Sequence, residues 1–443
     1  MRVRKPRTHY VLFMLVTAVS VILICSPAIS LLFQNVFIQF NGTIGSLSSV
    51  TALSGEPEEL QAAIDIVNAA GGGTVYIPAG TFHWNGETVQ SYGGVNIIGA
   101  SPAGCMGHES NWQSYIATTI LHNDAVGTLS YNVPNMLNVD GSNGKPFRIS
   151  GIQFEATPPE PVGDNEWQQS GCAIDLSQGK NFRLDHCTFI NFAGIAVRNR
   201  AWGSVGTFSY GLIDHCVIDV AYKDTEGSWQ GGYGWVTAGN MFTDKNNFVA
   251  GAQLYAGKYE AIPDVALTIV EDCHASRCRH AIDGADGAVI AVRYSLFDNP
   301  AAYLTQSNNI GDICAHGGGW GTMCTTVLLE AYNNVITGKA NFGTTAIRIR
   351  GGSGLFYNND FNPPDNGNPS WAQAFVMLDA DSSVPEFQVK QTYIWDNSYS
   401  NCNFIWNSAG RVENVDYFLR APTLAQDGWT YTPYTYPHPL TSG

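Results

Sequence analysis

Leu184-Asp185-His186-Cys187-Thr188-Phe189 and Ile213-Asp214-His215-Cys216-Val217-Ile218 are one phrase written twice, and its spacing decides the fold. Apolar residues stand three before the cysteine, at the cysteine and two beyond it. The step of two is strand parity, because alternate side chains of a strand share a face. The step of three breaks parity, so the chain must bend there if both residues are to stay inside. The same signature recurs as Ile149/Ile152/Phe154, Val270/Cys273/Ala275, Val292/Ser295/Phe297, Ala331/Asn334/Ile336, Phe356/Asn359/Phe361 and Ile394/Asn397/Tyr399. Successive phrases lie about 22 to 57 residues apart, the longer gaps leaving room for loops or skipped coils. A strand–bend–strand unit at that period is one turn of a solenoid. The expected fold is all-β, a right-handed parallel β-helix with Cys187, Cys216 and Ser295 in one internal column.

The composition agrees. Charged residues are only 13%, while glycines (47) and aromatics (12%) are plentiful, as suits short, doubly buried strands joined by tight turns. Formal charge is −15; without the basic residues Arg2, Arg4, Lys5 and Arg7 the body carries 18 positive against 37 negative charges, or −19. Such a body will not bind nucleic acid non-specifically. It also repels a polyanionic polysaccharide unless a cation or a local arginine cluster intervenes.

The basic start is followed by an apolar stretch from Val11 to about Phe33. A cleaved leader ending near Ala28-Ile29-Ser30 and an uncleaved membrane signal-anchor both fit, and both export the body to the extracellular side or cell surface. Residues 34–55 read as a polar linker, with Asn41-Gly42-Thr43 a glycosylation sequon. Leu60, Ile64 and Val67 at helical spacing, after Pro57 and before Gly71-Gly72-Gly73, predict a short helix that caps the open solenoid end. The repeats argue for one elongated domain over 56–420, and the Tyr/Pro-rich 421–443 reads as an extended tail. Cys187, Cys216 and Cys273 share a register position and are expected as buried thiols. Cys314 with Cys324, and Cys273 with Cys278, could close disulfides in an oxidising compartment. No cysteine spacing matches a tetrahedral zinc site.

Leu60-Gln61-Ala62-Ala63-Ile64, Gly72-Gly73-Thr74-Val75-Tyr76-Ile77-Pro78-Ala79-Gly80 and Ile97-Ile98-Gly99 resemble the opening of the pectate-lyase-like β-helix superfamily. With the later coils the resemblance spans about residues 56–420. It implies the fold; lyases, hydrolases, epimerases, esterases, tailspikes and non-catalytic surface proteins share it, so it leaves the activity open.

Three constellations could carry chemistry. The bend places Asp185-His186, Asp214-His215 and Glu271-Asp272 on successive coils, where like charges need a countercharge. A cation such as Ca²⁺ at Asp185 and Asp214, a protonated histidine or a substrate group could supply it. A second stretch holds Arg279-His280, Asp283, Arg293, His316 in a glycine-rich loop, Glu330 and Arg350. For β-elimination on a uronate, Arg293 or Arg350 could clamp the carboxylate and His316 could take the α-proton. Asp283 and Glu330 could hold Ca²⁺. The Ala315-His316-Gly317 and Arg348-Ile349-Arg350 runs also resemble polygalacturonase-type signatures, but that family's catalytic carboxylate motifs do not appear upstream, and an inverting hydrolase needs them. The third constellation is aromatic: Trp202, Trp229, Tyr233, Trp235 and Trp320 lie among glycines, as sugar-stacking platforms do. The expectation is a polysaccharide-cleaving protein, a lyase ahead of a hydrolase. The rival is a non-catalytic glycan-binding or envelope protein.

Overall fold

The computed structural model describes residues 48–127, 132–158, 171–201, 207–223, 229–231, 233–238, 267–278, 280–298, 310–316, 325–337, 344–363, 374–379 and 387–442. The apolar N-terminal stretch lies outside them. Among the described residues no helix is long and apolar enough to cross a membrane.

Strands stack into three parallel sheets of 12, 10 and 10 strands. Each coil contributes one strand to the first sheet, bends into the second, and reaches the third before rejoining the first. This is a right-handed parallel β-helix. Its strands are buried on the inner face by a continuous column of Val, Ile, Leu and Phe, with Phe154 stacked on Phe189 at 5.4 Å. The helix Pro57–Ala69 covers the N-terminal end, burying Leu60, Ala63, Ile64 and Val67 against it.

The parity break has a simple backbone cause. The residue before each repeat's central position is left-handed: Gly151 (φ 74°), His186 (51°), His215 (54°), Asp272 (54°), Tyr294 (51°), Asn333 (56°), Asn358 (53°) and Asp396 (50°). One left-handed residue turns the chain between the first and second sheets and returns the next side chain to the interior. Outside glycine this conformation costs roughly 1–2 kcal/mol. The residue after each bend joins a hydrogen-bonded ladder running up the column. Cys216 N–H donates to Cys273 Sγ (3.4 Å), Cys273 N–H to Ser295 Oγ (3.2 Å) and Ser295 N–H to Asn334 Oδ1 (3.1 Å). Asn334 N–H then donates to Asn359 Oδ1 (3.2 Å), and Asn359 N–H to Asn397 Oδ1 (3.0 Å). Cys187, Cys216 and Ser295 thus share the expected column.

Cys273 and Cys278 are separate buried thiols, correcting the disulfide considered for them. The Cys273 thiol points to the carbonyls of Ile213 and Glu271, whereas that of Cys278 turns to Ser276 O. Cys324 lies outside the described residues.

Candidate functional site

The bend column carries its charges under cover. On the outer face of the first sheet, Asp185, Asp214, Glu271, Arg293, Tyr332, Tyr357 and Trp395 occupy one row of paired register positions. Asp185 accepts both Arg148 nitrogens at 2.6 and 2.7 Å, and Asp214 accepts both Arg183 nitrogens at 3.0 and 2.9 Å. His186 and His215 add Nδ1 contacts to the same carboxylates at 2.7 and 2.8 Å, and their rings stack at 4.9 Å. Burial alone would raise the Asp185 pKa; hydrogen bonds from Arg148 and His186 and the Arg183 charge hold it well below the carboxylate range. The His215 pKa is raised, burial being outweighed by Asp214. The countercharge at Asp185 and Asp214 is therefore arginine, in place of the cation the sequence reading offered them.

Arg293 and Glu330 also belong to this covered face. Both are 0% exposed. Arg293 pairs with Glu271 at 2.6 Å and donates to Tyr332 Oη, Tyr434 O and Thr435 O at 3.1, 2.7 and 2.8 Å. Glu330 accepts the Tyr431 hydroxyl at 2.6 Å, and burial pushes its pKa up to about 7. The tail makes this cover. It runs back along the row, with His438 N–H on Glu271 (2.9 Å) and the Leu440 carbonyl on Arg183 (3.0 Å). Tyr436 Oη meets Asp272 at 2.7 Å and His108 at 2.8 Å, joining the tail to the 100–116 loop.

A second ionic group faces outward from the third sheet. Register pairs Asp175 with Arg198, Asp283 with Cys314, and Cys314 with Arg348 on neighbouring strands. The flanking Ile313, Ala315, Ile347 and Ile349 point into the core, so the alternate side chains Cys314, His316, Arg348 and Arg350 lie outside it. His316 is the hub. Its Nδ1 lies 3.1 Å from Arg350 Nη1, and its Nε2 lies 3.2 Å from Asp283 Oδ1, a close approach short of hydrogen-bond alignment. A guanidinium only donates, so Nδ1 is the acceptor and the ring hydrogen sits on Nε2, facing the carboxylate. His280 packs edge-on to His316 at 5.7 Å. Arg348 holds Asp379 at 2.5 Å, and Arg198 and Arg200 both hold Asp175 at 2.6 Å. Side chains of His316 and Arg350 keep 19% of their surface in solvent, against none for Arg293.

The predicted residues thus divide. His280, Asp283, His316 and Arg350 come together on the third sheet; Arg293 and Glu330 lie on the first. Asp283 and Glu330, once paired for Ca²⁺, are on different sheets. Trp235 corrects the aromatic reading: it is 2% exposed and packed in the core, in register with Val197 and Ile282. Trp229 and Tyr233 fall on the strands Trp229–Gly231 and Tyr233–Ala238. Arg279, Trp202 and Trp320 lie outside the described residues. Sequence reasoning missed Cys314, Arg348 and Asp379 as members of the third-sheet group.

No protein-family model and no curated protein matches the sequence. Several solved structures are similar. An alginate lyase from Paenibacillus sp. aligns at 13% identity over 82% of this chain and 98% of its own, with a TM-score of 0.43. The tailspike of E. coli bacteriophage HK620, in complex with a pentasaccharide, aligns at 14% identity over 81% of this chain and 61% of its own, TM-score 0.46. The catalytic domain of a GH87 α-1,3-glucanase aligns at 12% identity over 89% and 70%, TM-score 0.42. At such identities the fold is read from this chain's own strand pairing, and its chemistry from its own side chains.

Proposed function

We propose that this chain is an exported carbohydrate-active protein that cleaves an acidic polysaccharide by β-elimination at Asp283, His316 and Arg350. The supporting observation is the imidazole of His316 held between a guanidinium and a carboxylate on an outward, partly exposed sheet face. Arg350 has a fork suited to a uronate carboxylate. Drawn onto that carboxylate, it releases His316 Nδ1, whose lone pair it otherwise occupies. His316 then takes the proton from the carbon bearing the carboxylate. The carbon–hydrogen electron pair forms the new double bond, the bond to the glycosidic oxygen breaks, and that oxygen takes up a proton. Asp283 faces the opposite ring nitrogen and stabilises the imidazolium that results.

Arginines also cluster on this face, set among the carboxylates Asp175, Asp283 and Asp379. Arg198, Arg200, Arg348 and Arg350 are concentrated on one face of a chain whose net charge is −15. Alginate lyase and pentasaccharide-bound tailspike among the similar structures are in keeping with a glycan substrate. Export rests on the basic and then apolar N-terminus.

The test is incubation with a panel of uronate-containing and neutral polysaccharides, with and without EDTA. Expected are unsaturated products absorbing in the ultraviolet, lost in His316→Ala with an unchanged far-UV spectrum. Reducing ends without that absorbance would point to hydrolysis. Glycan binding with no product of either kind would leave a non-catalytic binder.

A further inference from the structure

We infer that His280, Cys314 and His316 form a binding site for a soft divalent transition ion of the Zn²⁺ type. One donor atom from each of the three lies within 4.8 Å of the other two. His280 and Cys314 are buried and His316 is half-buried, so the donors converge below the surface of the sheet.

Cys314 does not sit with the thiols of the interior column. Cys187, Cys216, Cys273 and Cys278 are packed among apolar side chains of the interior, where a thiol acts as a small hydrophobe. Cys314 is equally buried but faces outward, because its neighbours Ile313 and Ala315 take the inward positions. Its register partners are Asp283 on one side and Arg348 on the other. The thiolate is the form of cysteine that binds metal. Two imidazoles and a thiolate are the donor set of zinc, cobalt and copper, whereas calcium and magnesium take oxygen.

An ion on His316 Nδ1 displaces Arg350 Nη1 from that lone pair, and the donors then need only small shifts. Bonds of about 2.0–2.3 Å in a tetrahedral site put donors ~3.5 Å apart, so closing the triad asks each side chain to move by roughly 1 Å. Asp283, 3.2 Å from His316, stands where a carboxylate orients a ligating imidazole. Three protein donors leave a fourth position open. Primary spacing hides the site, since its residues come from two neighbouring strands, His280–Ala285 and Ile310–Ala315, and from the residue just after the second.

The inference requires neither a glycan nor turnover, so it stands apart from the function proposed above. The test is titration of the chelator-stripped full chain with Co²⁺. One equivalent should bind, with a thiolate-to-cobalt charge-transfer band in the near ultraviolet and strong visible d–d bands, both erased by Zn²⁺. Cys314→Ser should lose the charge-transfer band, and His280→Ala should weaken Co²⁺ binding by more than the roughly ten- to hundredfold that losing an outer-shell partner costs. Absence of the band in the wild type overturns the inference. So does a band that survives in Cys314→Ser. Should that variant not fold, undiminished affinity in His280→Ala overturns it equally.

Discussion

Replacing Glu330 by glutamine should change how stability responds to pH. The carboxyl is fully buried on the outer face of the first sheet, beneath Tyr431. Burial raises its pKa from 4.5 to about 7, with the Tyr431 hydrogen bond and the Arg293 charge working in the opposite direction. In the unfolded chain the group ionises near 4.5, in the folded chain near 7. Below the first value both states are protonated and the group costs nothing. Between the two values folding takes up a proton, so stability falls as pH rises, and above about 7 the whole cost is in place. At 1.36 kcal/mol per pH unit the cost is about 3 kcal/mol. Glutamine keeps an acceptor for Tyr431 and cannot ionise. The unfolding free energy of Glu330→Gln minus that of the wild type, from urea titrations at about pH 4 and pH 8, should therefore grow by about 3 kcal/mol toward the higher pH. Other acids such as Asp286, whose pKa burial raises to about 6, act equally on both proteins and cancel in the difference. A difference that is flat across this window would show that the folded chain does not hold Glu330 uncharged, and the account of the tail as a desolvating cover would go with it.

Ending the chain at Thr430 removes the carbonyls that Arg293 and Arg183 hold and the Tyr431 hydroxyl on Glu330. The expected loss is at least ~3 kcal/mol, read as a lower thermal midpoint, because buried charges lose their partners. Asn359→Ala breaks the internal ladder at the Asn334 amide and the Ala331 carbonyl, and should cost about 1–3 kcal/mol by urea unfolding with no change in glycan turnover. Arg350→Lys keeps the charge but loses the fork, so turnover of a uronate polymer should fall roughly tenfold or more while far-UV dichroism is unchanged. Added Zn²⁺ should suppress turnover in the wild type, since His316 cannot serve a metal and a proton together; full activity with Zn²⁺ bound would separate the two sites.

Much of the fold was legible because its signal is local. A single left-handed residue before each repeat position produces the offset of three, and that offset survives changes of side chain from Cys to Ser to Asn. The placement of Glu330 is legible in the repeat as well. Four residues before Asn334, it occupies the same outward position as Arg148 and Arg183 before Ile152 and Cys187, all on the first sheet. The same count would have found the arginines that neutralise Asp185 and Asp214. The third sheet is different. Connections of varied length separate it from the bend, so no repeat offset tells which face His280, Cys314 or Arg348 takes. The tail's path was illegible in another way, because its contacts join Tyr436 to His108 across most of the chain.

Residue type alone would rank the two ionic faces alike, for each combines arginines, carboxylates and histidines. Their partners separate them. On the first sheet the arginines spend their donors on carboxylates and on the tail's own backbone, as Arg293 does with Glu271, Tyr434 and Thr435. A substrate there would have to displace a segment of the protein and bare a buried ion pair, a change costing about 3–5 kcal/mol before any contact is made. On the third sheet Arg350 donates to an imidazole at 3.1 Å, with the Asp379 carboxylate farther off at 3.8 Å from its Nε, and a substrate carboxylate outcompetes the imidazole because an ionised partner makes the stronger hydrogen bond. Moving that one side chain both binds the anion and frees the base. The difference between a structural charge network and a reactive one here is what each guanidinium holds at rest.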